Sequence, residues 1–97
     1  MTQINEFQRE CIEEVLKTLK SKGLPPCQFK HVAGRSEQYQ VAPVTVGGQL
    51  YEIYVYEDEA GLKSKRGWFI CEKPDFHSSQ DLIHAFSKLL EEKLTLG

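Results

Sequence analysis

A glycine pair between two alternating segments constrains this chain more than any other feature. Gly47-Gly48 separates residues 38–46 from residues 49–57, and both segments are rich in β-branched and aromatic side chains. A two-residue connection of this kind is typical of a β-hairpin, because glycine readily adopts the positive φ angles of the favoured turns. The turn therefore predicts which residues of the two strands stand opposite each other.

The predicted register divides the side chains of the hairpin between two faces. One face receives the pairs Val46–Gln49, Val44–Tyr51, Ala42–Ile53 and Gln40–Val55, and the other receives Thr45–Leu50, Pro43–Glu52, Val41–Tyr54 and Tyr39–Tyr56. The first set is small and mostly aliphatic, which suits packing against helices. The second set carries aromatic rings. Pro43 has no N–H to offer a strand on the side away from the third strand, so we expect the first strand to end near it.

An amphipathic helix is predicted at each end of the chain. Apolar residues recur at spacings of three and four in both segments, first at Ile4, Phe7, Cys11, Ile12, Val15, Leu16 and Leu19, and then at Leu82, Ile83, Phe86, Leu89, Leu90 and Leu94. Gly23, followed by two prolines, ends the first helix. Ser78 or Ser79 is the predicted N-cap of the last helix, and Gly97 follows it.

The remaining segments complete a single α+β domain over residues 1–97. Residues 28–33 are predicted as a strand with a turn at 34–37, and residues 67–72 as a fourth strand that lies inside the sheet because it is apolar on both faces. The order is α-β-β-β-β-α. We predict a two-layer fold with a four-stranded, mainly antiparallel sheet and both helices packed on its aliphatic face. The alternative places one helix on each face, which would bury the tyrosines as core.

Composition and charge narrow the partners and the compartment. The 97 residues carry a formal charge of −2, with a pI near 5.9, and a protein with this overall charge disfavours nucleic acid as a partner because its phosphates are negative. Three cysteines form no dense disulfide pattern. No apolar run approaches the ~20 residues of a membrane span, and the first residues lack the pattern of a signal peptide. We expect a cytoplasmic protein with no membrane contact.

No pattern in the chain predicts an enzyme. Cys27–His31 and Cys71–His77 are spaced too loosely for a typical zinc site. Cys71 lies in an apolar strand, where burial makes a thiol inert, and Glu57, Asp58 and Glu59 lie in a charged loop. Phosphate-binding glycine loops and hydrolase motifs are absent from the sequence. We therefore predict no catalytic residue, no metal and no cofactor.

One short segment resembles a known inhibitor family. Lys30-His31-Val32-Ala33-Gly34 is similar to the Q-x-V-x-G loop of cystatins, which inhibit papain-like proteases. Lys30 stands where the family has glutamine, and a C-terminal helix departs from that fold. We make no family assignment from these five residues.

The functional hypothesis concerns the aromatic side of the hairpin. Two helices on the aliphatic face would leave that side open, and exposed aromatic patches are typical of partner surfaces. We predict a non-enzymatic protein–protein interaction module whose partner is another protein or, in a homodimer, a second copy of the chain. The predicted contact residues are Tyr39, Val41, Leu50, Tyr54, Tyr56 and Trp68. The alternative is a nucleic-acid-binding domain that uses Lys63, Lys65 and Arg66 beside the sheet tyrosines.

Overall fold

The described part of the chain, residues 4–35 and 37–94 of a computed structural model, contains two α-helices and five strands. They are α1 (Glu6–Ser21), β1 (Lys30–Ala33), β2 (Gln38–Val46), β3 (Gln49–Tyr56), β4 (Ala60–Ser64), β5 (Gly67–Cys71) and α2 (Ser79–Lys93), with a 3₁₀ turn at Lys73–Asp75. The strands form one antiparallel sheet in the order β1-β2-β3-β4-β5. The α+β class is confirmed. The predicted number of four strands is wrong.

The central hairpin has the predicted register at all eight pairs. Gly47 and Gly48 adopt φ angles of 58° and 81°, as a primed two-residue turn requires. Pairing between β1 and β2 ends at Lys30 and Val41, two residues before Pro43. Residues 42–46 of β2 therefore have a neighbouring strand only on the β3 side of the described sheet.

Both helices lie on the aliphatic face of the sheet. α1 packs against β3, α2 packs against β4 and β5, and the two helices contact each other. The buried core joins residues of α1 and α2 to alternate residues of the strands: Cys11, Val15, Leu19, Ile83, Phe86 and Leu90 from the helices, and Val44, Val46, Tyr51, Ile53, Val55, Ala60 and Leu62 from the sheet. The alternative with one helix on each face does not occur. A two-layer fold results.

Strand β4 occupies the segment that the sequence predicted as a loop. Ala60 and Leu62 point into the core and are fully buried, while the alternate positions, Gly61 and Lys63, lie on the other face. Only two apolar side chains therefore mark this strand, and acidic and basic runs flank it. Gly61 permits a close approach of β5, because a Cβ atom there would lie 2.6 Å from the carbonyl oxygen of Phe69.

Strand β5 is an edge strand, so its predicted position inside the sheet is wrong. It pairs with β4 on one side and with no strand of the described residues on the other. Strand β5 is apolar on both faces because each face contributes to a different apolar surface. Phe69 and Cys71 pack against the core, whereas Trp68 and Ile70 belong to the opposite face.

The helix ends are set by local hydrogen bonds. Asn5 and Gln8 form a reciprocal capping box at the start of α1, with bonds of 2.7 and 3.0 Å. At its end, Gly23 has a φ of 72°, and the N–H of Leu24 donates to the carbonyl of Leu19 at 2.8 Å, as in a Schellman motif. The Ser78 hydroxyl accepts from the Asp81 N–H at 3.2 Å and so caps α2.

Two further findings bear on the sequence predictions. Strand β1 begins at Lys30, two residues later than predicted, and Ser36 of the following turn lies outside the described residues, as does Gly97. In the part of the chain that is described, neither helix is long and apolar enough to cross a membrane.

Truncating the ring at the centre of the core tests this packing. Phe86 is completely buried between the helices and the sheet, so Phe86→Ala should lower the free energy of unfolding by about 3–5 kcal/mol. Urea unfolding followed by circular dichroism measures the change. A loss below about 1 kcal/mol would contradict the described core.

Candidate interaction surface

The six residues predicted as a contact surface lie together on the sheet face opposite the helices. Strand β2 contributes Tyr39 and Val41, β3 contributes Leu50, Tyr54 and Tyr56, and β5 contributes Trp68. The strand register places them all on one side. We call this surface the tyrosine face. No helix of the described residues packs on it, because α1 and α2 both occupy the other face.

Four aromatic rings form one connected cluster on the tyrosine face. The ring centroids of Tyr39 lie 5.7 Å from Tyr54 and 5.0 Å from Tyr56. Tyr54 and Tyr56 are nearly parallel, at 12° and 6.2 Å. Trp68 meets Tyr54 edge-on, at 79° and 5.1 Å. These distances lie within the favourable range for aromatic pairs, so the rings hold one another in place.

Much of the aromatic cluster remains open to solvent. The three tyrosines are half-buried, whereas Trp68 is 43% exposed and Leu50 is 55% exposed. By contrast, Tyr51, which faces the helices, is 7% exposed. Large apolar side chains at these exposures on one face of a sheet are characteristic of surfaces that bind a partner.

Sequence reasoning missed two members of the tyrosine face. Val32 of β1 pairs with Tyr39, and Ile70 of β5 pairs with Gly61, so both lie on this side of the sheet and both are half-buried. The hairpin register alone could not reveal them. Their positions depend on where β1 joins β2 and on the existence of β4, and no glycine pair marks either connection.

Glu52 interrupts the apolar surface and influences its neighbour. It stands between Pro43 and Lys63 in the register. Partial burial, followed by the charge of Glu52, raises the pKa of Tyr54. Partial burial and then Glu37 raise the pKa of Tyr56. Both phenols are neutral at physiological pH, as an unperturbed phenol also is, and they ionise later than an unperturbed phenol when the pH rises.

The two ends of the tyrosine face carry opposite charges. At the end where β3 turns into β4 lie the carboxylates of Glu37, Glu57, Asp58, Glu59 and Glu72, which we call the acidic end. Burial, and then the carboxylates of Asp58, Glu72 and Glu37, raise the pKa of Glu59. The acidic side chains are therefore crowded together. Arg35 and Lys73 lie at this end as well, which leaves it net negative.

The opposite end, where β4 turns into β5, carries Lys63, Lys65 and Arg66, which we call the basic end. These side chains are exposed. Together with the glycine turn, Leu50 and Glu52 they line an open groove of about 720 Å³. Among the described residues, the ion pairs are those of Arg9 with Glu6 and Glu13 on α1, so neither end is neutralised by a salt bridge of its own.

Burial governs the chemistry of the three cysteines. Burial raises the pKa of Cys11 to about 12 and also raises the pKa values of Cys27 and Cys71. These thiols are therefore poor nucleophiles at neutral pH. His31 shares a 2.8 Å hydrogen bond with the buried Gln40. Within residues 4–35 and 37–94, no group of three metal-binding side chains converges.

Comparison of the chain with protein-family models, curated proteins and solved structures found no match. Most of the segment that resembles the cystatin loop, residues 30–33, forms strand β1.

Removing one ring of the tyrosine face should affect folding much less than removing Phe86. Tyr54→Ala removes contacts with three neighbouring rings, and the side chain is only half-buried. We expect the free energy of unfolding to fall by about 1–2 kcal/mol. Urea unfolding beside Phe86→Ala makes the comparison. Equal losses for the two variants would mean that Tyr54 is a core residue.

Alkaline titration should reveal the two perturbed phenols. Tyr54 and Tyr56 have pKa values raised above the ordinary 10.0, so the folded protein holds protons that the unfolded chain has already released. Their stabilising contribution is complete below pH 10 and is lost as the pH rises through the raised pKa values. Phenolate absorbance should show late ionisation in wild type. In the Tyr54→Phe/Tyr56→Phe variant that late component should disappear, and its persistence would contradict the assignment.

Proposed function

We propose that this protein is a non-enzymatic protein–protein interaction module that self-associates through the tyrosine face. The observation that carries the proposal is a connected cluster of four rings, with Leu50 beside it, on a sheet face that neither helix covers. Tyrosine and tryptophan suit this role because they bury large apolar areas while their polar atoms stay hydrated.

A second copy of the chain fits this surface for two physical reasons. A two-fold interface uses the same patch on both subunits, so the patch must complement itself. The apolar middle of the tyrosine face meets this requirement, because apolar surface needs no particular polar partner. The oppositely charged ends meet it as well, since each end offers what the other lacks.

The size of the face indicates how far such a contact must extend. The longest strand, β2, has nine residues and the sheet has five strands, so the face measures at most roughly 31 Å by 19 Å, a flat area of about 590 Å². A standard interface buries about 800 Å² on each partner. The proposed contact therefore includes the turns at both ends of the strands, where the charged residues lie.

Self-association and the role of the aromatic cluster can be tested together. Sedimentation velocity over a range of concentrations should show a dimer for wild type. Tyr54→Glu places a carboxylate in the middle of the interface and should yield a monomer, because a buried unpaired charge opposes association. His84→Glu, on the exposed surface of α2, introduces the same charge away from the face and should leave the dimer intact. Wild type that stays monomeric at high concentration would rule out the proposal.

A second candidate function is binding of single-stranded nucleic acid. The specific observation in its favour is the groove that Lys63, Lys65 and Arg66 line, with Trp68 paired to Lys63. A base could stack on the ring while the cations contact phosphates. The acidic end opposes this reading, because it would repel the same strand.

Titration of a labelled oligonucleotide at low salt separates the two functions. Nucleic-acid binding predicts a rise in fluorescence anisotropy that weakens steeply as salt increases and that Lys65→Glu/Arg66→Glu abolishes. The self-association proposal predicts no rise at concentrations where wild type is a dimer. Saturable binding that displaces the dimer would favour the nucleic-acid candidate.

A further inference from the structure

We propose that two copies of this protein pair head to tail through the tyrosine face, so that the acidic end of each copy lies against the basic end of the other. This inference rests on the proposed function, self-association through that face. It adds the direction in which the second copy lies.

The two charged ends act independently. Strand β4, which joins the two turns, has five residues, a span of roughly 17 Å. The Debye length at physiological ionic strength is about 8 Å. Each end therefore responds to the charges placed directly against it, and the charge of the distant end is screened.

Face-to-face packing of two sheets allows two orientations of the second copy. Two sheets that stack face to face in the aligned way keep their strands within about 30° of each other. A two-fold axis that runs along the strands brings like ends together. A two-fold axis that runs across the strands reverses one sheet and brings unlike ends together. Only these two aligned arrangements place both ends within the contact.

The two arrangements differ in the charges that they bring together. With like ends together, the five carboxylates of one acidic end would face five more, at a site where crowding already raises the pKa of Glu59. At the other end, Lys65 and Arg66 would face their own copies. Like charges across an interface oppose association strongly. The head-to-tail arrangement replaces both repulsions with attractions.

The head-to-tail arrangement also brings the oppositely charged turns of the two copies close together. An axis across the strands stacks each strand over its own equivalent. Strand β4 carries the acidic end before Ala60 and the basic end after Ser64, so the turns at its two ends belong to neighbouring strand pairs. Reversal of the second copy places its β4–β5 turn beside the first copy's β3–β4 turn, about one strand spacing, ~4.8 Å, to the side. Side chains as long as lysine and glutamate can bridge that offset.

Glu52 and Lys63 do not distinguish the arrangements. They stand opposite each other across β3 and β4, so these two opposite charges of one copy stay side by side in either arrangement. The discriminating charges are those in the turns, Glu57 and Asp58 at one end and Lys65 and Arg66 at the other, all of them exposed.

The test reverses the charges of one end at a time. Glu57→Lys/Asp58→Lys makes both ends basic, and Lys65→Glu/Arg66→Glu makes both ends acidic. In the head-to-tail dimer, each variant meets like charge at both contacts, so self-association measured by sedimentation should weaken about tenfold or more. The variant that carries all four substitutions restores unlike contacts and should associate more tightly than either pair of substitutions alone. Glu13→Lys/Glu91→Lys, on the exposed helix surfaces, is the control for net charge and should change little.

Mixing wild type with the four-substitution variant provides the sharpest readout. Head-to-tail pairing predicts that each forms homodimers only, because a mixed dimer would join like ends. Pairing of like ends predicts the reverse, a preferred mixed dimer. Native mass spectrometry separates the species by mass, and circular dichroism confirms that each variant is folded. Should one pair of substitutions prevent folding, the pair at the other end carries the same prediction.

The outcomes of these experiments distinguish the head-to-tail direction from self-association itself. If wild type is a dimer that Tyr54→Glu disrupts, but both charge variants behave like the control, the head-to-tail direction is wrong and self-association stands. A preferred mixed dimer overturns the direction in the same way. A wild-type monomer overturns both.

Discussion

The turn at Gly47-Gly48 is the constraint on which the rest of the structure depends. Because it joins β2 and β3 through two residues with positive φ, a single register of the hairpin is possible, and side chains alternate between the two faces from that point outward. A slip of one residue would exchange the faces, so that Ile53 and Val55 would meet solvent and Tyr54 would meet α1. The aliphatic core and the tyrosine face are thus two results of one local geometry.

The helices then decide which face is closed. Their apolar stripes are long enough for each helix to cover part of the aliphatic face, and they also bury surface against each other. Once Phe86 and Leu19 occupy that layer, the chain has no other long element with which to cover the tyrosine face, within the residues that the structure describes. The rings of that face consequently pack edge to face and side by side, and this arrangement lowers their exposure without closing the surface.

The sequence was most informative where local chemistry determines geometry and least informative where tertiary contacts do. The hairpin register, the end of the β1–β2 pairing before Pro43, the Ser78 cap and the grouping of the five contact residues on the hairpin all follow from turn, cap or alternation patterns. Strand β4 could not be predicted, because its pattern consists of only two apolar side chains, Ala60 and Leu62, and charged runs flank them. Without β4, the sequence placed β5 inside the sheet and did not assign Ile70 to the tyrosine face. Whether the tyrosine face binds a copy of the chain is a matter of assembly, which alternation patterns do not determine.

Pro43 has a consequence for how the molecule can grow into larger assemblies. It lies on the stretch of β2 that no neighbouring strand covers on one side, and its nitrogen, which points toward that bare margin, carries no hydrogen. A foreign strand docking there would lose a main-chain hydrogen bond, which is a common way in which natural sheets avoid fibre formation. The molecule therefore discourages open-ended extension along its margin while it leaves a broad flat side available, and contacts made through such a side can close upon themselves in a finite complex.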